Sequence, residues 1–466
     1  MGQSRRFASH LGLAALAAIL ITAAGCSGEG GGGATATGPG PIPPPSPSAT
    51  ATSTATPTAT PTSTATATST PTATPTPLAG SCLPASSLSV LVDKTNVTSY
   101  VPKGSWVHGT TGVSLVQVEG TGTTATLIPT TNIVNSCASD SVTLQTVCTA
   151  NNTDVYLLSG SKLNTTLTSG GSGTINFSGG ICTNCGVAFN PVTDQALIGL
   201  AVGGGHGGYQ FLDLAGGTPT FETPIASPSA LGVISEDLMI DPIRKLILSA
   251  AETNNYELAK IDSTAAPAFF ENPVSNSGGE LDASAEDCTT GIALASDEFT
   301  GGIFLADLSH ATFTPGTPGT WSAPSNLQSI PDFVGFFSGV TGIAVAPPSD
   351  IGVVTGEFGG SLVGAIQLPS LAGGTPAITD WVACSVPNDP KGSTFSTGFD
   401  PHTVTAYVSP NTNDSIGVVS DGGPTYLAVI DLTKMLNTSI VPRTAGTHTC
   451  SAGTLPTSVV SYVAVP

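Results

Sequence analysis

Cys182-Thr183-Asn184-Cys185 is the tightest grouping of reactive side chains in this 466-residue chain. A Cys-x-x-Cys serves thiol–disulfide exchange, metal ligation or haem attachment. A zinc site wants a second Cys or His pair at matching spacing, and none occurs. Haem attachment wants His after the second Cys, where Gly186 stands. Exchange chemistry uses a helix N-terminus to lower a thiol pKa, whereas this pair runs into the strand-like Gly186-Val187-Ala188-Phe189. The pair therefore reads as a structural disulfide. The other candidates are carboxylates. Glu236 with Asp237, and Glu286 with Asp287, each precede or open an apolar run and lie about fifty residues apart. Four such groups repel one another strongly unless solvent or a cation neutralises them. His108, His206, His310, His402 and His448 are scattered, with no Gly-x-Ser-x-Gly, no phosphate-binding Gly-rich loop and no His-Glu-x-x-His.

The elements that would position these groups repeat. Gly186-Val-Ala-Phe-Asn-Pro191 returns as Asp237-Leu-Met-Ile-Asp-Pro242, Gly291-Ile-Ala-Leu-Ala-Ser296, Gly342-Ile-Ala-Val-Ala-Pro347 and Ser396-Thr-Gly-Phe-Asp-Pro401. Val134-Asn-Ser-Cys-Ala-Ser139 is a weaker copy, and Ser461-Tyr-Val-Ala-Val-Pro466 ends the chain. Each phrase is a short apolar run closed by a turn signal, as a buried strand entering a turn would be. A second β-rich run follows, then a third that often ends on an acid: Asp213, Asp262, Asp307 or Asp431. Recurrence gives these acids a turn role. One four-stranded unit per ~50 residues predicts an all-β chain, a β-propeller of seven blades with six the alternative. The orphan phrase at the C-terminus and the orphan strands of residues 86–120 predict one blade shared by the N- and C-terminal strands, which closes the ring.

"GFDPHTVTAYVSPNTND" followed by "TYLAVIDL" resembles the YVTN-type, lactonase-like bacterial propellers. That resemblance implies an exported propeller. Calcium-dependent lactonases of this kind hold their ion at the channel mouth through carboxylates and amides, oxygen donors that suit a hard cation. The matching metal candidates here are Glu236, Asp237, Glu286 and Asp287, with an amide from Asn184.

The first 25 residues read as a signal peptide: Arg5 and Arg6, then an apolar run too short to span a bilayer. Ala23-Ala24-Gly25-Cys26 resembles a lipoprotein cleavage site, which implies lipidation of Cys26. Residues 26–80 are a Gly/Thr/Pro-rich linker with too little apolar surface to offset the entropy of ordering, and 81–466 form the propeller. Cys82, Cys137, Cys148, Cys182, Cys185, Cys288, Cys384 and Cys450 make an even set for disulfides in an exported chain. Cys137 with Cys148 would flank a hairpin, and Cys384 with Cys450 would clip outer strands. The formal charge of −20 disfavours nucleic acid and anionic lipid, leaving the lipid anchor as the membrane contact. The sequence favours an envelope-anchored binding or interaction module whose protein, glycan or small-molecule ligand is open. The alternatives are a calcium-dependent lactonase-like hydrolase and a surface-layer structural protein.

Overall fold

The computed structural model describes residues 88–102, 110–121, 125–177, 180–202, 206–227, 238–250, 255–261, 268–274, 281–297, 301–330, 339–356, 360–370, 374–396, 404–421 and 425–466. Almost all regular structure in them is β. Strands β1 (Ser89–Asp93), β2 (Asn96–Pro102), β3 (Thr111–Glu119), β4 (Thr126–Asp140), β5 (Gln145–Ala150), β6 (Asp154–Ser159) and β7 (Lys162–Thr168) run in order through one sheet. β4 serves two ladders: its beginning pairs with β3, and Val134 onward pairs with β5. A small hairpin, β8 (Ile175–Phe177) and β9 (Gly180–Cys182), precedes β10 (Asn184–Asn190), β11 (Gln195–Val202) and β12 (His206–Asp213). β13 (Thr220–Phe221) and β14 (Ile225–Ala226) both pair with β12.

The third sheet orders β15 (Leu238–Asp241), β16 (Leu246–Ala250), β17 (Asn255–Lys260) and β18 (Ala268–Pro273). Next come β19 (Leu281–Asp287), β20 (Ile292–Asp297), β21 (Gly302–Asp307), the hairpin β22 (Thr312–Thr314) and β23 (Gly319–Ser322), and β24 (Ser325–Ser329). β24 completes the sheet of β19–β21, whereas β23 reaches back and adds to the outer edge of β18. β25 (Val340–Ala346), β26 (Ile351–Gly356), β27 (Leu362–Gln367) and β28 (Asp380–Ser385) form the next sheet. The last consists of β29 (Val404–Val408), β30 (Ser415–Ser420), β31 (Tyr426–Asp431) and β33 (Val460–Ala464), with helix α1 (Leu432–Leu436) and strand β32 (Thr449–Thr454) between the final two. β32 repeats the backward reach by pairing with β28 of the preceding sheet.

The first strands β1, β4, β10, β15, β19, β25 and β29 neighbour one another in that order, and β29 returns to β1. Each is therefore buried on both sides. On β10, Val187 and Phe189 pack with Ala138 and Val147 of the preceding sheet, while Ala188 packs with Leu238 and Ile240 of the following one. On β25, Ile343 and Val345 face back to Ala283 and Leu294, and Ala344 and Ala346 face forward to Val404 and Ala406. This two-sided burial is why the phrases read as near-continuous apolar runs rather than alternating ones. The arrangement is an all-β β-propeller.

The recurrent Asn/Asp-Pro signal has a physical basis. Asp140, Asn190, Asp241 and Asp287 end first strands, and their Oδ1 atoms accept the backbone N–H of Val142, Val192, Ile243 and Thr289 at 2.8, 3.1, 2.8 and 2.9 Å. Such side chains satisfy a turn's backbone locally. All seven hairpins from first to second strand hold one residue in the left-handed region just before or near the second strand: Lys94, Leu144, Asp194, Lys245, Gly291, Asp350 and Asn413. A Cβ on Gly291 would run into the Arg244 guanidinium.

Three expectations differ from the structure. Gly291–Ser296 is not a first strand but leads into β20, and β19 takes the inner place. In the last sheet Val404–Val408 is innermost, and the 396–401 phrase falls partly outside the described residues. The C-terminal phrase is β33, which pairs with β31 at the far edge, so the two ends do not share a blade. Apolarity on both faces is common to first, second and third strands, so an apolar run closed by a turn does not reveal its place. The ends meet through packing instead: Leu88, Val97 and Val116 cluster with Tyr407, Val418 and Leu427. Glu119 accepts hydrogen bonds from Tyr407 (2.6 Å), Ser409 (2.7 Å) and Asn411 (2.9 Å).

Candidate functional site

Glu286 and Asp287 are the last residues of β19. Glu236 and Asp237 lie outside the described residues, but they stand just before β15 in the chain. One pair closes a first strand and the other precedes one, so the two do not occupy equivalent positions. The misreading follows from taking Gly291–Ser296 as the first strand.

Both residues of the described pair are buried. Glu286 faces the preceding sheet. Arg244 Nη1 is 2.9 Å from Asp241 Oδ2 and 3.8 Å from Glu286 Oε1, and it also donates to the Cys288 carbonyl at 2.9 Å. Arg244 Nη2 donates to Ser309 Oγ at 2.8 Å. Burial pushes the Glu286 carboxyl well above the usual carboxylate range, and the charge of Asp241 adds to this against the opposing Arg244. Glu286 thus lies buried beside the Asp241–Arg244 pair. Asp287 faces the following sheet. Its Oδ1 accepts from Thr289, and its Oδ2 accepts the Asp350 N–H at 3.3 Å. Burial, then the charge and proximity of Asp287, lift Asp350 to about 7. Two successive joints between sheets therefore each bring carboxyl groups together in a buried setting.

The described pair is engaged elsewhere: Arg244 sits between Asp241 and Glu286, and Asp287 accepts hydrogen bonds in its own turn. The Asn184 amide is likewise engaged, accepting from Ser169 Oγ at 2.6 Å and donating to the Asp154 carbonyl at 3.0 Å. Among the described residues no group of three or more His, Cys, Asp or Glu is arranged to hold a metal ion. Sequence reasoning missed Asp241, Arg244 and Asp350. The available signal was positional, since all three sit in hairpins that join a first to a second strand, two repeats apart.

The remaining carboxylates behave as the repeat suggests. Asp213, Asp307 and Asp431 accept the N–H of Ala215, Ser309 and Lys434 at 3.0, 3.0 and 2.8 Å. Glu257 bridges neighbouring sheets by accepting from Tyr209 (2.7 Å) and Ser227 (2.8 Å). Cys137 and Cys148 are directly opposed across β4 and β5 and form a disulfide. Cys182–Cys185 and Cys384–Cys450 are also bonded, and Cys288 is disulfide-bonded. Cys182 and Cys185 are buried, which suits a structural rather than an exchanging pair. Cys26, Cys82, Asp262, His108 and His402 lie outside the described residues.

No family model matches the chain, and no curated protein matches it. Solved structures similar to it include a functionally unknown protein from Desulfotomaculum acetoxidans, with 13% identity, a TM-score of 0.45, and coverage of 81% of this chain and 99% of that one. The β-propeller domain of Cps50 (Swd1) from Myceliophteria thermophila shares 9% identity at a TM-score of 0.46 over 73% of this chain and 93% of that one. A candidate 6-phosphogluconolactonase from Bacteroides uniformis shares 11% identity at a TM-score of 0.49 over 79% of this chain and 100% of that one.

Proposed function

We propose that this chain is an exported, lipid-anchored propeller of seven blades that works as a binding module. The observation that carries the reading is the use made of Glu286 and Asp287: together with Asp241, Arg244 and Asp350 they are built into joints between sheets. The seven-blade count is supported by the cycle of first strands and by the seven hairpins with one left-handed residue each; it takes β4 as the outer strand of one blade and the inner strand of the next. The lipobox-like stretch ending at Cys26 and the Thr/Pro-rich 26–80 segment support display of residues 81–466 at a bacterial envelope on a tether.

Two measurements test this. A Cys26→Ser variant expressed in bacteria should leave the membrane fraction. The chain from Gly80 onward should show no calcium-dependent turnover in a lactone and ester hydrolysis screen. Turnover that requires calcium and is lost in Glu236→Gln and Asp237→Asn would replace the module with a propeller hydrolase. Ordered self-assembly of the same chain would favour the surface-layer alternative.

A further inference from the structure

The hairpins that join first to second strands carry most of the large apolar side chains exposed on the described residues. Val142, Val192 and Ile243 are 72%, 59% and 53% exposed. They stand at the same turn position, two residues after Asp140, Asn190 and Asp241, in three successive repeats whose first strands are neighbours. Leu144, also exposed, shares the hairpin of Val142 and sits in the left-handed region at φ 57°. The equivalent places elsewhere hold Lys94, Asp194, Lys245, Gly291, Asp350 and Asn413, none of them a large apolar residue. A bulky side chain there is a costly choice. Single exposed apolar residues are ordinary, but an arc at one end of the molecule marks an interaction surface.

Charge defines what the arc fits. Asp194 lies within this arc. Burial lifts its carboxyl above the usual range, and the nearby charges of Asp140 and Asp213 lift it further. Its Oδ1 is buried without a hydrogen-bond partner. Lys245, in the Ile243 hairpin, stands at the flank. A second copy of this chain, formally −20, would bring like charge to the same place.

We infer that the hairpin tips carrying Val142, Leu144, Val192 and Ile243, with Asp194 and Asp213 beside them, form a docking surface for a polypeptide segment that alternates apolar side chains with lysine or arginine. The inference rests on the binding-module reading and names its partner class. Burying the apolar tips supplies the contact core, and the acids pair with the cations at its rim.

The test uses the full chain and three labelled fourteen-residue peptides, alternating Leu with Lys, Leu with Glu, and Ser with Lys, followed by fluorescence anisotropy. The Leu–Lys peptide should bind. The triple variant Val142→Ser, Val192→Ser, Ile243→Ser should weaken it at least tenfold, and Asp194→Asn with Asp213→Asn should weaken it several-fold and flatten its salt dependence. Val192→Lys gives a second, single-site variant with the same expected loss, and unchanged melting curves establish that the variants fold. Equal binding by wild type and triple variant overturns the proposal, as does equal binding of the Leu–Glu peptide. A dimer abolished by the triple variant would make a second copy the occupant, and vesicle binding abolished by it would make a membrane the occupant; either overturns it. None of these results bears on calcium-dependent turnover, so failure here is separable from failure of the module reading.

Discussion

Asp350 and Asp287 illustrate how a residue's chemistry depends on a partner far away in the chain. Asp350 is held near about 7, above the ~3.9 of an unfolded aspartate, so the folded state binds its proton more tightly. Its stabilising contribution is complete below about pH 4 and is lost as pH rises to about 7. Glu286, also raised, chiefly by burial, acts in the same direction. The melting temperature is therefore expected to rise on acidification from pH 7 to 5. Asp350→Asn, which tolerates the left-handed backbone as Asn413 does, should raise the melting temperature at pH 7.5 by about 1–3 °C and reduce the slope between pH 5 and 7. A wild-type curve that falls on acidification in this window would contradict the raised Asp350 carboxyl at this joint. None of this was readable from the local sequence. Glu286 and Asp287 look like a solvated pair until Arg244 and Asp350 are brought against them by neighbouring sheets.

At the scale of elements, the two backward reaches cover edges. The β22–β23 hairpin is fixed on β18 by Lys260, whose Nζ lies 3.9 Å from the Phe313 ring centroid, by Phe270 against Phe313, and by Trp321 donating to the Tyr256 carbonyl at 2.9 Å. β32 is fixed on β28 by Cys384–Cys450, by the two-pronged Arg443–Asp380 pair at 2.5 and 2.7 Å, and by His448 stacked on Trp381. Replacing both cysteines by serine is expected to cost about 3–4 kcal/mol, measured by denaturant unfolding without reductant. Limited proteolysis should then cut between α1 and β32 first. Unchanged stability would mean that the other contacts alone hold β32. The period of the repeat was legible because apolar runs and Asn/Asp-Pro turns recur. The phase was not, because β19 and β20 are both buried throughout and only the hydrogen-bonded order separates them. The hairpin pairing of Cys137 with Cys148 was legible for the opposite reason: both partners are local.

For the whole molecule, closure depends on packing between the first and last sheets rather than on a strand shared by them. β33 protects β31, and the Pro466 carbonyl accepts from Ser114 Oγ at 3.3 Å. Deleting residues 457–466 is expected to bare the β31 edge and loosen the seam where Glu119 meets Tyr407, Ser409 and Asn411. Light scattering should show aggregation during purification, with any soluble fraction melting early. A deletion variant that stays monomeric with an unchanged melting curve would mean that the apolar seam around Leu88, Val97, Tyr407 and Val418 closes the ring without β33.

The backward reach of β23 also sets a timetable. Chains are made from the N-terminus, so the sheet ending at Pro273 exists with a naked outer strand until Ser322 has emerged. At about 5–20 residues per second those ~50 residues take roughly 2–10 seconds. During that interval β18 offers unpaired backbone to any passing strand, including the same strand of another nascent chain. Slow decoding between these two points would lengthen the exposure, and its cost would appear as misassembly during production rather than as weakness of the finished ring.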